Sequence, residues 1–168
     1  MKFLGREQER EKLHRVLGKN CRTVSLIYGR RRVGKSELIK QILRESDIPG
    51  IYYECKQTTE LHNVDSLAVL IAGQFNLPKP AFGNMEEVLE FLFQRTCQEK
   101  LIIVLDEYSY LRDCIKGIDS ILQSLIDKYD DISFIKLILC GSYVGIMKSL
   151  LYNENPLYGR VDVTIHLK

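Results

Sequence analysis

At 168 residues, 45% of them hydrophobic, the chain has the size of one domain and enough apolar side chains to bury a core, which excludes a mainly disordered protein. Lysine and arginine (24) nearly balance aspartate and glutamate (22), leaving +2, so no whole-domain field holds a polyanion such as DNA or an acidic membrane; any basic surface is local. The five cysteines, Cys21, Cys55, Cys97, Cys114 and Cys140, are widely spaced and lack a C-x-x-C pair or neighbouring histidines, the pattern of reduced thiols rather than of a zinc site or disulfide framework. Charged sequence follows the first residues directly, and no apolar run approaches the roughly 20 residues of a membrane span. The expected location is therefore the cytoplasm, with no membrane partner.

In chain order, the charged stretch from Arg6 to Lys19, with Leu13, Val16 and Leu17 on one side and Gly18 as a stop, predicts a short amphipathic helix. The β-rich run from Thr23 to Tyr28 ends at Gly29, and Leu38, Ile39, Ile42 and Leu43 then recur at helical spacing from Lys35 to Arg44. A second strand, Ile51 to Tyr53, follows Pro49-Gly50. Leu67, Leu70 and Ile71 predict a helix starting near Asp65, which Pro78 and Pro80 break. Asn84 with Glu87 resembles a capping box ahead of Met85, Val88, Leu89 and Leu92 on one helical face. Leu101 to Leu105 is a short, wholly apolar run, the signature of a strand buried on both faces of a parallel sheet. A helical stripe from Ile118 to Tyr129, a buried strand from Phe134 to Cys140, a stripe of Val144, Met147, Leu150 and Leu151, and an alternating strand from Val161 to Leu167 complete the chain. Five strands alternating with helices predict a three-layer α/β fold with a mostly parallel sheet, its functional loops at the strands' carboxyl ends.

Gly29-Arg30-Arg31-Arg32-Val33-Gly34-Lys35-Ser36 fits G-x-x-x-x-G-K-[ST] between a strand and a helix. Glycines let backbone N–H groups curl around phosphate oxygens at a helix N-terminus, whose partial positive charge favours an anion. The nucleotide-binding set is thus Gly29, Arg30, Arg31, Arg32, Val33, Gly34, Lys35, Ser36 and Glu37. Lys35 is expected to bridge the β- and γ-phosphates and Ser36 to place its hydroxyl on Mg²⁺. The three arginine side chains are expected in solvent, with a general attraction to phosphate rather than a dedicated nucleic-acid surface. Asp106-Glu107 closes the apolar strand; neighbouring residues leave a strand in different directions, so Asp106 is assigned to the metal and Glu107 to the attacking water as general base. Ser142 joins them if its strand lies between the other two.

Together with Phe3-Leu4-Gly5-Arg6-Glu7, Leu105-Asp106-Glu107, Leu139-Cys140-Gly141-Ser142 with Met147, and Pro156-Leu157-Tyr158-Gly159-Arg160, the P-loop resembles the archaeal-type AAA+ ATPases of the STAND-like group. The resemblance spans nearly the whole chain. It implies a P-loop NTPase core of the ASCE type with strand order 5-1-4-3-2, an adenine pocket near Gly5 and Arg6, a sensor role for Ser142, and Arg160 as a γ-phosphate sensor or an arginine finger supplied in cis or, through self-association, in trans. It further implies ATP/ADP and Mg²⁺ as ligands, and a helical lid and C-terminal domains beyond a core of residues 1–168, whose conformation ATP hydrolysis would drive or gate. The isolated core would then turn over weakly, and nucleic acid would be a partner only of a longer protein. A regulatory switch with little turnover, or phosphoryl transfer to a small acceptor, remain as alternatives. The acid pair favours water activation over phosphoryl transfer, and the absence of an Asn-Lys-x-Asp element favours ATP over GTP.

Overall fold

In the strands, side chains alternate between two faces, and in the three interior strands both faces are buried. The computed structural model describes residues 6–168. It contains five strands, β1 (Thr23–Tyr28), β2 (Gly50–Glu54), β3 (Leu101–Asp106), β4 (Ile135–Gly141) and β5 (Val163–His166). Leu101, Ile103 and Leu105 of β3 enter one core with Ile135, Leu137 and Leu139 of β4, whereas Ile102, Val104, Ile138 and Cys140 enter the other. The order is β2-β3-β4-β1-β5 with every pair parallel, the expected 5-1-4-3-2 arrangement seen from the opposite edge.

Helices α1 (Glu7–Leu17) and α2 (Lys35–Glu45) cover one face through Leu13, Leu17, Leu38, Ile39 and Ile42. The other face is covered by α3 (Glu60–Phe75), α4 (Met85–Arg95), α5 (Ser109–Cys114), α6 (Ile118–Lys128) and α7 (Val144–Ser149). Gly18 caps α1 as its position predicts. Helix α3 begins at Glu60, ahead of the expected start, because Thr59 accepts a hydrogen bond from the His62 N–H and so caps a turn that carries no apolar stripe. At α4 the Asn84 side chain accepts from the Glu87 N–H at 2.9 Å, but the Glu87 carboxylate reaches back to Gly83 rather than to Asn84, a capping box displaced by one residue. Helix α5 has no counterpart in the sequence reading, since six residues are too few to display a period.

All five cysteines are free thiols, and burial pushes Cys55 and Cys140 well above the usual thiol range. Among the described residues no helix is long and apolar enough to cross a membrane.

Candidate nucleotide site

The loop between β1 and α2 lies at the carboxyl end of β1, an interior strand beside β4, where the sheet order also gathers the ends of β3 and β4. Gly29 admits no side chain: a Cβ there would stand 2.4 Å from the Leu167 carbonyl oxygen, so the loop starts flush against the strand beside it. Gly34 has φ 96°, a left-handed conformation that favours glycine, and it turns the chain into the first turn of α2. Arg32 shares that region at φ 69°. Lys35 is buried at the helix start, and its Nζ donates to the Arg30 carbonyl at 2.9 Å, closing the loop on itself. Burial lowers the Lys35 pKa, while Glu107 and Asp106 nearby oppose that shift by favouring the ammonium.

Strand parity decides where the two acids go. Asp106 shares a face of β3 with Ile102 and Val104, the face that α2 covers, so it meets Ser36 on the first turn of α2: Ser36 Oγ donates to Asp106 Oδ2 at 3.1 Å. From the neighbouring strand and the same face, Tyr52 donates its hydroxyl to Asp106 Oδ2 and lies 3.2 Å from Ser36 Oγ. Burial and the Asp106 carboxylate raise the Tyr52 pKa, keeping the phenol protonated as a donor. Sequence reasoning missed Tyr52; its parity with Asp106 becomes visible only once β2 is known to pair with β3 in the register Tyr52↔Val104.

Glu107 leaves the strand with φ 54°, a left-handed conformation that non-glycine residues adopt at a cost of about 1–3 kcal/mol. Its N–H donates to Asp106 Oδ1 at 2.8 Å, holding the turn. The side chain swings toward β4, where Ser142 Oγ donates to Glu107 Oε1 at 2.6 Å. Glu107 Oε2 is buried and has no hydrogen-bond partner among the described residues. The β4 strand does lie between β1 and β3, the condition set for Ser142. Lys35, Ser36, Glu37, Gly34, Arg31, Arg32, Glu107 and Ser142 thus line one cleft of about 240 Å³.

The three loop arginines behave differently from one another. All are exposed, but Arg31 is not simply solvated: its guanidinium donates to the Tyr110 hydroxyl at 3.3 Å and stands 5.9 Å from the centre of the Tyr143 ring. Arg30 lines a second cavity of about 450 Å³ with Val144, His166, Leu167 and Lys168. Arg6 borders the same region, donating to the carbonyls of Val33 at 3.1 Å and Lys168 at 3.0 Å; Gly5 lies outside the described residues.

Arg160 is not brought to this cluster. It forms a two-pronged pair with Asp127 near the end of α6, at 2.8 and 2.7 Å, and donates to the carbonyls of Pro156 and Tyr158. Two residues later, Asp162 binds the backbone of Val24 at the start of β1. Arg160 is thus at the amino end of the sheet, a strand's length of about 17–20 Å from the phosphate loop.

A wider cleft of about 550 Å³ runs between the α5–α6 turn and the segment 152–156. Its buried carboxylate, Asp119, already accepts from Tyr108 and Asn155 and forms an ion pair with Arg112, so its buried charge is satisfied within the fold.

A parallel sheet in this order, with a glycine loop cradling a helix start and an acid-terminated strand two positions away, defines a P-loop NTPase core. A family model described as an ATPase domain predominantly from Archaea matches residues 3–168, and the chain belongs to that family. It is 28% identical over 167 residues to the uncharacterized protein MJECL04 of Methanocaldococcus jannaschii, covering 99% of this chain and 36% of the relative. Among solved structures, the Walker-type ATPase PABY2304 of Pyrococcus abyssi superposes with a TM-score of 0.74 at 28% identity, over 99% of this chain and 54% of that one. The ORC2 protein of Aeropyrum pernix, solved as ADPNP-ADP complexes, superposes with a TM-score of 0.72 at 19% identity over 99% and 48%, a likeness of fold. The chain therefore spans about a third to a half of the length of these relatives.

Proposed function

We propose that this chain is an ATP-binding core that hydrolyses ATP with Mg²⁺ and passes the change in occupancy to segments beyond it. The observation that carries this reading is Glu107: a carboxylate held at one oxygen by Ser142, unpartnered at the other, and facing the same cleft as the phosphate loop. A carboxylate oxygen that faces the cleft and is not used by the fold can accept a hydrogen bond from a water molecule beside the terminal phosphate and take its proton. Lys35 would exchange the Arg30 carbonyl for phosphate oxygens, and the N–H groups of the loop would take the remaining negative charge. The cavity beside Arg30, Val144 and His166, bordered by Arg6, fits a flat aromatic base.

The residues present suit Mg²⁺. Asp106, Ser36 and Tyr52 offer only oxygens, which matches a hard cation that takes one or two protein ligands and completes its shell with phosphate and water. Ser36 and Asp106 would hold it; when bound, it neutralises charge on the phosphates.

A second reading, a nucleotide-gated switch with little turnover, draws support from the same contacts, because Glu107 is tied to Ser142 and Lys35 to its own loop. Single-turnover and steady-state hydrolysis separate the two. Lys35→Ala is expected to lose nucleotide binding. Glu107→Gln is expected to bind ATP normally while hydrolysis falls by about 10²–10⁴-fold. Unchanged hydrolysis in Glu107→Gln would remove Glu107 as the base, and a parent chain that binds Mg-ATP without turnover would establish the switch.

A further inference from the structure

The cation that a phosphoryl-transfer site needs opposite the terminal phosphate has no cis supplier in Arg160, which is committed to Asp127 at the other end of the sheet. We infer that Arg31, from within the phosphate loop itself, supplies this contact in cis. The inference rests on the ATPase reading above and assigns a residue within it.

Three observations converge on Arg31. First, it lines the cleft that holds Lys35, Glu107 and Ser142. Second, its guanidinium is held on the reacting side of the cleft. Tyr110, which it contacts, sits one turn after Glu107, its N–H bonded to the Glu107 carbonyl at 3.0 Å. Tyr143, the other ring beside it, directly follows Ser142, whose hydroxyl holds Glu107. The two tyrosine rings meet edge to face with centroids 6.3 Å apart, so together they form one support spanning the loops after β3 and β4. Third, the support is neutral. Among the described residues no carboxylate pairs with Arg31, in contrast to Arg160, Arg22, Arg95 and Arg112, each of which has an acid partner. A phenol and an aromatic face orient a guanidinium without neutralising it, which leaves the charge and the free N–H groups for an anion.

In the reaction, water oxygen forms a bond to the terminal phosphorus as the bridging P–O bond breaks. ADP departs with that electron pair, and the water proton passes to the Glu107 carboxylate. Charge accumulates on the terminal phosphoryl oxygens and the bridging oxygen, where a fork of N–H donors acts more strongly than in the ground state. Arg31 would swing from the tyrosine pair onto these oxygens. The tyrosines then act as positioning residues, linking the approach of the arginine to the loops that carry the base and its serine.

The test compares the parent chain with Arg31→Ala and Arg31→Lys in ATP binding, in single-turnover hydrolysis, and in formation of the complex with ADP, Mg²⁺ and aluminium fluoride. Arg31 is exposed, so the variants should fold, and thermal melting checks this. Arg31→Ala is expected to keep ATP affinity within about tenfold while hydrolysis falls at least about a hundredfold, toward the 10³–10⁵ range of arginine fingers, and the aluminium fluoride complex is lost. Arg31→Lys should recover little, because an ammonium cannot reproduce the fork. The rate per chain should not depend on protein concentration. Arg31→Ala forming the aluminium fluoride complex as the parent does, or a parental rate per chain that rises with concentration and vanishes in Arg160→Ala, would overturn the assignment and leave the ATPase reading intact. A parent chain that binds no ATP would overturn both.

Discussion

The two ends of the sheet hold charged side chains of the same kinds on different terms. At the amino end, Lys136, fully buried on β4, donates its ammonium at 2.6 Å to the Lys19 carbonyl and also to that of Cys21. Arg160 forks onto Asp127, and Arg22 stands between Asp130 and Asp162. Lys136 and Arg160 end on hydrogen-bond acceptors that belong to the fold, and Arg22 is paired with carboxylates of the fold although its buried Nε makes no hydrogen bond among the described residues. At the carboxyl end, Lys35 holds a carbonyl of its own loop, Arg31 rests on phenols, and one oxygen of Glu107 has no hydrogen-bond partner among the described residues. Charge at the first end fixes the structure; charge at the second is arranged so that a ligand completes it.

If this contrast is right, the amino end should be sensitive in stability and the carboxyl end in binding. The largest stability effect is expected for Lys136→Ala, which removes a fully buried stem and two charge-assisted hydrogen bonds at a cost of about 2–4 kcal/mol. In a chain of this length the melting temperature should fall by about 5–15 °C. Lys136→Met keeps the stem but leaves both carbonyls unanswered; melting at the parental temperature in that variant would mean that the hydrogen bonds contribute nothing.

A smaller effect, of the opposite character, is expected at Tyr52. Tyr52→Phe keeps the ring and removes the hydroxyl that orients Asp106 and Ser36, so affinity for a divalent cation in the presence of ADP should drop about 10–100-fold. Melting temperature and metal-free ADP binding should stay near parental values. Mn²⁺ titration followed by electron paramagnetic resonance measures this directly, and a loss of stability equal to that of Lys136→Ala would erase the proposed division between the ends.

The smallest effect is the pH response of the contact between α1 and α2, also remote from the phosphate loop. Hydrogen bonds from Arg10, then His14, hold the Glu45 carboxyl down at about 2, from an ordinary value of 4.5. A carboxylate with a depressed pKa contributes stability that is complete above the ordinary value and is lost as pH falls through the depressed one. The melting-temperature advantage of the parent over Glu45→Gln should therefore shrink between pH 4.5 and about 2. Because the group is exposed, that advantage should be only about 1–3 °C, and it should weaken with salt.

What the sequence disclosed follows the same division. The five strands and the phosphate loop were legible because apolar runs and glycine spacing are local signals, and Asp106 and Glu107 were legible because they close such a run; the strand order is not local and was implied only by the family resemblance. Tyr52, Tyr110 and Tyr143 were not. Their relevance depends on which strands and loops become neighbours, and an aromatic residue in a strand or near a turn looks the same whether it packs or positions. Arg160 shows the converse: the motif around it is distinctive, yet its partner, Asp127, is 33 residues away and is revealed only once the end of α6 lies beside the segment that precedes β5. For Arg31 the expectation of a solvated side chain held for exposure and failed for contacts.

The conformation at Asp106-Glu107 also sets how the chain tolerates change. Two adjacent acids take different partners, Asp106 toward Ser36 and Glu107 toward Ser142, because β3 counts in twos and the left-handed residue follows at once. An added or deleted residue between Leu101 and Glu107 would exchange their addresses, sending the acid meant for Ser36 toward Ser142 and presenting aliphatic side chains in reverse order to both cores. Composition would be almost unchanged. Insertions and deletions within this short ruler should therefore be far more damaging than substitutions of one aliphatic residue for another, and a library of length variants through β3 would make the asymmetry measurable.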